Sequence, residues 1–474
     1  MKKHVLLLML GVVGLTACDK KKSGRATPAL EGPNFKLGTL DQETEVSKGD
    51  CSSIVESIVM PLDHNDPDSG TFNYVFQHVV NGPTFPTIIH VPGGPGQTLI
   101  GLDTSELPGS YNHILLDPRT IGCNYLDEAT ASDEVIDTFQ HASDIIKIVE
   151  ELSLTNYVVY GVSYGTVVAT SFSDTIKDRT DIALPTAIVM EGVVGAPVYG
   201  TEYSDEFKNQ WARRLSLSPR LRTAFANQAN LPFGYTVDQW NTIISTLISI
   251  GGKIADDLLD STINPQLYRI EVVKEIFDSF IGDGAEASLR GTTRFYNLVG
   301  CRELFNDTRY FNYLTSGTFE VYDLENFLED GVSLEEAVQS CNAVDLDRPF
   351  NPEEYVMADV PTYYFQGQHD PNTPLAKARI HFNSQDHLSQ SYFVEIANGG
   401  HNPLNIQLDD CKNQIWREVF NGTNPVGSTV GSTGCRFAGT SLFSGPSQSK
   451  LSRSLLIDAD DIEKAEFKIP KLRR

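Results

Sequence analysis

Tyr157-Val158-Val159-Tyr160-Gly161-Val162-Ser163-Tyr164-Gly165-Thr166-Val167-Val168-Ala169 runs from β-branched and aromatic residues, through a glycine-flanked serine, into helical spacing. Residues 156–160 have the composition of a buried strand, and residues 166–176 that of a helix following a tight glycine turn. Gly161-Val162-Ser163-Tyr164-Gly165 is the turn between them. A serine there occupies a strained strand-to-helix corner, where Cβ atoms at the glycine positions would clash with neighbouring backbone. Its hydroxyl projects above the sheet at a helix N-terminus, whose dipole favours a developing oxyanion. The bare pattern is common by chance; its strand–turn–helix setting gives it weight.

Working outward, residues 53–60, 71–80, 87–91, 113–116 and 187–190 read as strands bounded by Pro, Gly, Asn and Asp. Residues 142–152 have helical spacing, with Ile145, Ile148, Val149 and Leu152 on one face. This alternation predicts an α/β fold with a mostly parallel central sheet. Near residue 199 the rhythm changes to amphipathic helices (207–215, 237–250, 266–280, 334–340) with few strands. Strands and helices alternate again over 362–366, 374–382, 391–397 and 412–420. The reading is one α/β domain in two halves, 51–198 and 346–474 (the latter including a tail), interrupted by a helical cap, 199–345.

A nucleophilic serine needs a base, and the base needs an orienting acid. After the cap, the predicted strand 362–366 leads to a loop carrying Asp370. The strand 391–397 leads to Asn398-Gly399-Gly400-His401. Taken alone, Asp370 could be a helix N-cap ahead of Pro374, and His401 an ordinary loop histidine. In the order Ser163, Asp370, His401, each at a strand end, they form a candidate catalytic triad. His369 is a weaker base candidate, because its neighbour Asp370 is poorly placed to orient it. His90-Val91-Pro92-Gly93-Gly94-Pro95-Gly96 follows the strand 87–91 directly. Its glycines let backbone N–H groups approach a ligand, so Gly94 (or Gly93) is expected to form an oxyanion hole with the N–H of Tyr164. The alternative is a plain Gly/Pro turn.

The chain has 474 residues, with 37 Lys plus Arg against 62 Asp plus Glu and a formal net charge of −25. So acidic a chain repels phosphate backbones, which argues against nucleic acid as a partner. No CxxC or Cys/His spacing suggests zinc, and the triad chemistry calls for no metal or cofactor.

Residues 1–17 begin with Met1-Lys2-Lys3 and continue with an apolar run too short to span a bilayer, as in a signal peptide. Leu15-Thr16-Ala17-Cys18 resembles the bacterial lipobox. That implies lipid on Cys18 and an exported, membrane-anchored lipoprotein facing the periplasm or cell exterior; an ordinary secretory signal is the alternative. Asp19 resembles an inner-membrane retention signal of enteric bacteria, a rule that is not general. Residues 18–50 read as a flexible tether. Beyond Cys18 six cysteines remain, an even number that suits disulfides in an oxidising compartment. Six cysteines allow 15 pairings, among which sequence alone does not choose; pairing in chain order is favoured: Cys51 with Cys123, Cys301 with Cys341, Cys411 with Cys435.

Gly93-Gly94-Pro95-Gly96, Asp117-Pro118-Arg119, Gly161-Val162-Ser163-Tyr164-Gly165, Gly367-Gln368-His369-Asp370-Pro371-Asn372-Thr373-Pro374 and Gly400-His401 together resemble the α/β-hydrolase peptidases. The resemblance is to the prolyl iminopeptidases and, more closely, to exported bacterial tripeptidyl aminopeptidases. Cys51, followed by Val59-Met60-Pro61-Leu62-Asp63-His64, looks like the N-terminal signature of the latter. It spans about residues 51–435 and is weakest in the cap. It implies an α/β-hydrolase fold, with the cap between the nucleophile half and the Asp/His half. It also implies a serine aminopeptidase acting on peptides with free N-termini through an acyl-enzyme.

Two positions depart from the family. Thr120 stands where Asp-x-Arg-Gly-x-Gly has its first glycine. Gln210-Trp211-Ala212-Arg213-Arg214 lacks the glutamate of the prolyl-specific Trp-x-x-Trp-Glu, which puts proline specificity in doubt. A substrate amine still needs an acidic partner, and Glu191 or Glu303 could serve, although a solvated surface carboxylate is the plainer reading of each. Two other functions use the same residues differently: an esterase or amidase acting on small acyl substrates, and a non-catalytic surface binding lipoprotein.

Overall fold

The computed structural model describes residue 51, residues 55–101, 104, 107–195, 200–225, 231–264, 270–280, 292–304, 349–396, 399–404 and 409–425. Its centre is one eight-stranded sheet: β1 (Glu56–Pro61), β2 (Thr71–Val79), β3 (Thr87–Val91), β4 (Asn112–Leu116), β5 (Tyr157–Val162), β6 (Ala187–Glu191), β7 (Thr362–Gly367) and β8 (Ser391–Ile396). The strand order is β1-β2-β4-β3-β5-β6-β7-β8. β2 runs antiparallel to β1 and β4, and every pairing from β4 onward to β8 is parallel. This is the α/β-hydrolase fold. β5 to β8 are almost continuously buried and mostly apolar, as strands covered on both faces are.

The helices α1 (Thr138–Glu151) and α2 (Tyr164–Ile176) cover one face. Ile145, Ile148 and Val149, the predicted stripe, pack there with Val167 and Phe172. The other face buries Ile88, Val158, Val189 and Tyr363 beneath Ile415, Trp416 and Val419.

Between β6 and β7 come α3 (Gly200–Leu217), α4 (Pro219–Phe225), α5 (Val237–Ile250), α6 (Gly252–Ser261), α7 (Ile270–Phe280) and α8 (Thr292–Phe295), the last continuing as a π-helix, Tyr296–Leu304. α5 starts at a capping box, with the Thr236 hydroxyl accepting the Gln239 N–H and Gln239 returning to the Thr236 N–H. These helices have their own core, in which Trp211, Trp240, Ile244 and Phe277 are buried. α8 and the π-helix instead pack on the main domain, with Phe295, Leu298, Val299 and Leu304 joining the α1/α2 core. The helix expected over 334–340 lies outside the described residues. α9 (Leu375–Ser384) and α10 (Asp409–Phe420) complete the second half.

Cys51 and Cys123 form a disulfide. Cys301 and Cys411 are disulfide-bonded as well; the partners expected for them, Cys341 and Cys435, lie outside the described residues, as does Cys18.

Candidate active site

The C-terminal ends of β3, β5, β6, β7 and β8 converge, and the loops leaving them carry the candidate residues. Ser163 follows β5 at φ 54°, ψ −122°, a left-handed corner that a non-glycine residue adopts only under constraint. The flanking glycines are steric necessities. A Cβ on Gly161 would lie 2.2 Å from the Gly165 carbonyl oxygen, and one on Gly165 would lie 2.4 Å from that of Val91. The Ser163 N–H is tied to the Glu191 carbonyl at 2.9 Å. Tyr164 is the first residue of α2, where N–H groups have no acceptor within the helix.

Gly93 and Gly94 leave β3 beside this corner. A Cβ on Gly93 would meet that of Ser163 at 3.1 Å, and Gly94 turns the loop at φ 107°. Asp117 braces the far end of the same loop. Its Oδ1 accepts the N–H groups of Leu99 at 2.6 Å and Ile100 at 3.0 Å. Burial pushes the Asp117 carboxyl up to about 7, against the lowering effect of those two bonds.

Asp370 and His401 are brought together. His401 Nδ1 lies 3.0 Å from Asp370 Oδ2 and 3.1 Å from Oδ1. Asp370 is buried and accepts four further bonds: Asn372 N–H (2.8 Å), Thr373 N–H (3.0 Å), Thr373 hydroxyl (2.6 Å) and Gln366 Nε2 (2.8 Å). Burial alone would raise its pKa. His401 and the Thr373 hydrogen bonds outweigh that and hold it below the ordinary carboxylate value. The helix that follows has Pro374 at its N-cap position, so Asp370 does not cap it. The His369 N–H donates to the Gly399 carbonyl at 3.0 Å, and it is His401 whose ring meets Asp370.

The His401 ring rests on Gly192, just past β6. A Cβ on Gly192 (φ 59°) would be 2.9 Å from the ring Nδ1. Ser163 and His401 therefore both abut the Glu191-Gly192 backbone, one through a hydrogen bond and the other by contact.

Gln366 and Thr373 were not foreseen. Gln366 also accepts the Val193 N–H at 2.8 Å, joining the β6 exit to the acid loop. The available signal was a glutamine ending the apolar run Tyr363-Tyr364-Phe365, because a polar side chain on a buried strand needs a partner.

The plain reading of Glu191 and Glu303 as solvated carboxylates is corrected: both are buried. Glu191 Oε1 accepts the Leu404 N–H at 2.7 Å and Oε2 accepts the Tyr160 hydroxyl. Burial pushes the carboxyl up to about 7, against the lowering effect of the Tyr160 and Leu404 bonds. Glu303, in the π-helix, accepts the Thr138 N–H at 3.0 Å and the Thr138 hydroxyl at the start of α1. The same hydroxyl meets the Tyr164 phenol at 3.0 Å. Glu303 thereby satisfies an N-terminal N–H of α1 and braces the ring next to Ser163.

No family model matches the chain, and no curated protein matches it. Solved structures do. A malate-bound thermophilic esterase from Thermogutta terrifontis is 14% identical, over 78% of this chain and 100% of that one, with a TM-score of 0.37. The esterase RhEst1 from a Rhodococcus species is 12% identical, over 77% and 98%, with a TM-score of 0.40. A bromoperoxidase from Bacillus anthracis is 12% identical, over 73% and 91%, with a TM-score of 0.34.

Proposed function

We propose that this chain is a serine hydrolase that forms an acyl-enzyme on Ser163 and releases amino acids or short peptides from free peptide N-termini. The observation that carries the hydrolase reading is the placement of a left-handed Ser163 and a carboxylate-bound His401 against the same two residues, Glu191 and Gly192. In this scheme His401 Nε2 takes the Ser163 hydroxyl proton as Oγ attacks the carbonyl, while Asp370 holds Nδ1–H and stabilises the imidazolium. The N–H groups of Tyr164 and Gly94 receive the oxyanion, each contributing on the order of 10²–10³ in rate. The imidazolium then protonates the leaving amine, and water activated by His401 releases the acyl group.

The peptide assignment rests on the resemblance carried by the motifs from Cys51 to His401. The Cys51–Cys123 disulfide supports an oxidising location. With the signal-like residues 1–17 and Cys18 it makes the protein an exported lipoprotein in this reading. One observation favours the esterase or amidase alternative: both Glu191 oxygens and both Glu303 oxygens already accept hydrogen bonds in the interior.

The test pairs free-amine mono-, di- and tripeptidyl amides with their acetylated forms and with short-chain esters, using the purified full chain and Ser163→Ala. Amide cleavage that requires the free amine and vanishes in the variant is the expected result. Turnover of esters alone selects the esterase, and a folded protein inert to all of them reverts to the binding lipoprotein. Cys18→Ser should shift the protein from the membrane to the soluble fraction; unchanged fractionation would refute the lipid anchor.

A further inference from the structure

Glu191 touches both halves of the candidate machinery without belonging to the triad. Its carbonyl accepts the Ser163 N–H at 2.9 Å. Its side chain reaches across to the other half, where Oε1 accepts the Leu404 N–H at 2.7 Å, three residues beyond His401. Oε2 is occupied by the Tyr160 hydroxyl, which fixes the carboxyl's orientation. The next residue, Gly192, is the surface on which the imidazole rests.

This placement is costly. Glu191 is fully buried, and no ion pair to it occurs among the described residues. An acid taken out of water and held by two neutral donors lowers stability unless something else retains it. Its reach suggests what. β6 hydrogen-bonds the nucleophile corner through main chain, but the His401 loop leaves β8, two strands away in the sheet. Among the described residues, the Glu191 carboxyl is the one side chain that hydrogen-bonds the His401–Leu404 segment from β6. Both of its oxygens already accept a hydrogen bond from the protein.

Building on the serine-hydrolase reading, we infer that Glu191 is a positioning residue: it holds the His401 loop in register with the Ser163 corner. Without it the Leu404 N–H loses its acceptor, and the segment past His401 loses its tie to β6, while His401 keeps its contacts to Asp370 and Ser249. A displacement of about 1 Å between base and nucleophile costs on the order of 10² in rate.

The experiment needs no knowledge of the natural substrate. A fluorophosphonate probe phosphonylates an activated serine: the Oγ–P bond forms, fluoride leaves, and the base takes the hydroxyl proton. The second-order labelling rate is measured by intact mass on the full-length wild type, Glu191→Met, Glu191→Gln, Tyr160→Phe and Ser163→Ala. Thermal melts establish that each is folded. Wild type should label at Ser163 and Ser163→Ala should not. Glu191→Met should label about 30- to 100-fold more slowly. Glu191→Gln should recover to within about fivefold of wild type, because its amide oxygen still accepts from Leu404 and its NH₂ can donate to Tyr160. Tyr160→Phe, which keeps the carboxyl but frees its far oxygen, should fall between them and serves if Glu191→Met does not fold.

A purely structural role would move the melting temperature and leave the labelling rate of the folded protein unchanged. Labelling of Glu191→Met at the wild-type rate therefore overturns the inference while leaving the hydrolase reading intact. So does a Glu191→Gln as slow as Glu191→Met, which would make charge rather than position the property that matters. If Glu191→Met is unfolded, a Tyr160→Phe that labels at the wild-type rate overturns it instead. An unlabelled wild type removes the hydrolase reading, and the inference with it.

Discussion

The backbone N–H of His401 donates a 2.7 Å hydrogen bond to the carbonyl of Ser249, so the histidine loop is joined to the last turn of α5 in the inserted helices. The junction continues on either side. Gly399 pairs with Gly251 in an isolated antiparallel bridge, and Gly400 lies flat against the Ser249–Ile250 backbone. The inserted helices are thus attached to the main chain of the proposed base itself.

Gly400→Ala tests that junction. Its Cβ would fall 2.1 Å from the Ser249 carbonyl oxygen and 2.7 Å from the Ile250 carbonyl carbon. Either the loop or the helix must move. Labelling or turnover should drop about 10- to 100-fold, with far-ultraviolet circular dichroism unchanged. A variant with wild-type rate would show that the loop does not depend on its seat against α5.

Thr120→Gly should stabilise the protein. Thr120 is fully buried at φ 71°, where a β-branched residue is strained, and its hydroxyl has no hydrogen-bond partner among the described residues. Relief of about 1–2 kcal/mol of backbone strain, less glycine's extra entropy in the unfolded chain, leaves a gain of about 0.5–1 kcal/mol. A rise in the urea midpoint at constant slope is the expected readout; a fall would mean that the threonine methyl's packing matters more than its backbone.

Asp117 gives stability a pH dependence whose sign is opposite to that of most carboxylates. Its folded-state pKa is raised to about 7 from an ordinary 3.8, so between those values the native state binds more proton than the unfolded chain. Stability from this group is therefore complete below about pH 4 and is lost as pH rises toward 7. Asparagine can still accept from Leu99 and Ile100. Asp117→Asn should thus match wild type near pH 4 and exceed it by about 4 kcal/mol at pH 7.5. Parallel stability–pH curves for the two proteins would contradict this.

Arg119 and Asp144 form a fully buried pair, with Nε to Oδ2 at 2.9 Å and a terminal nitrogen to Oδ1 at 2.5 Å. Arg119 also donates to the Leu62 carbonyl, and His64 meets Asp144 at 2.8 Å. Arg119→Met strands the Asp144 carboxylate and should destabilise by about 3–5 kcal/mol in denaturant unfolding. A loss below about 1 kcal/mol would imply that His64 suffices as its partner.

Strand and helix periodicity made the sheet legible: 87–91 and 237–250 coincide with β3 and α5 as formed. The glycine-bounded loops were legible for a related reason, because close backbone approach leaves no substitute for glycine at positions such as 161 and 165. What stayed hidden was tertiary pairing of polar side chains. Glu191 bonds Leu404, 213 residues away, and Glu303 bonds Thr138, 165 residues away. Local composition around a glutamate carries no trace of such a partner, so surface was the natural expectation. Thr120 shows the reverse case: its departure from a glycine pattern was visible, and the left-handed φ supplies the physical reason for that pattern.

The Cys51–Cys123 link also settles how the domain answers a pull on the chain ahead of it. Among the described residues β1 is an edge strand whose only sheet partner is β2, and such a ladder can unzip one hydrogen bond at a time when tugged from its end. The covalent bond sits upstream of β1 and passes tension straight to the turn at Gly122–Asn124. The intervening strands, and the glycine loop beside Ser163, lie within the closed ring and off the line of load.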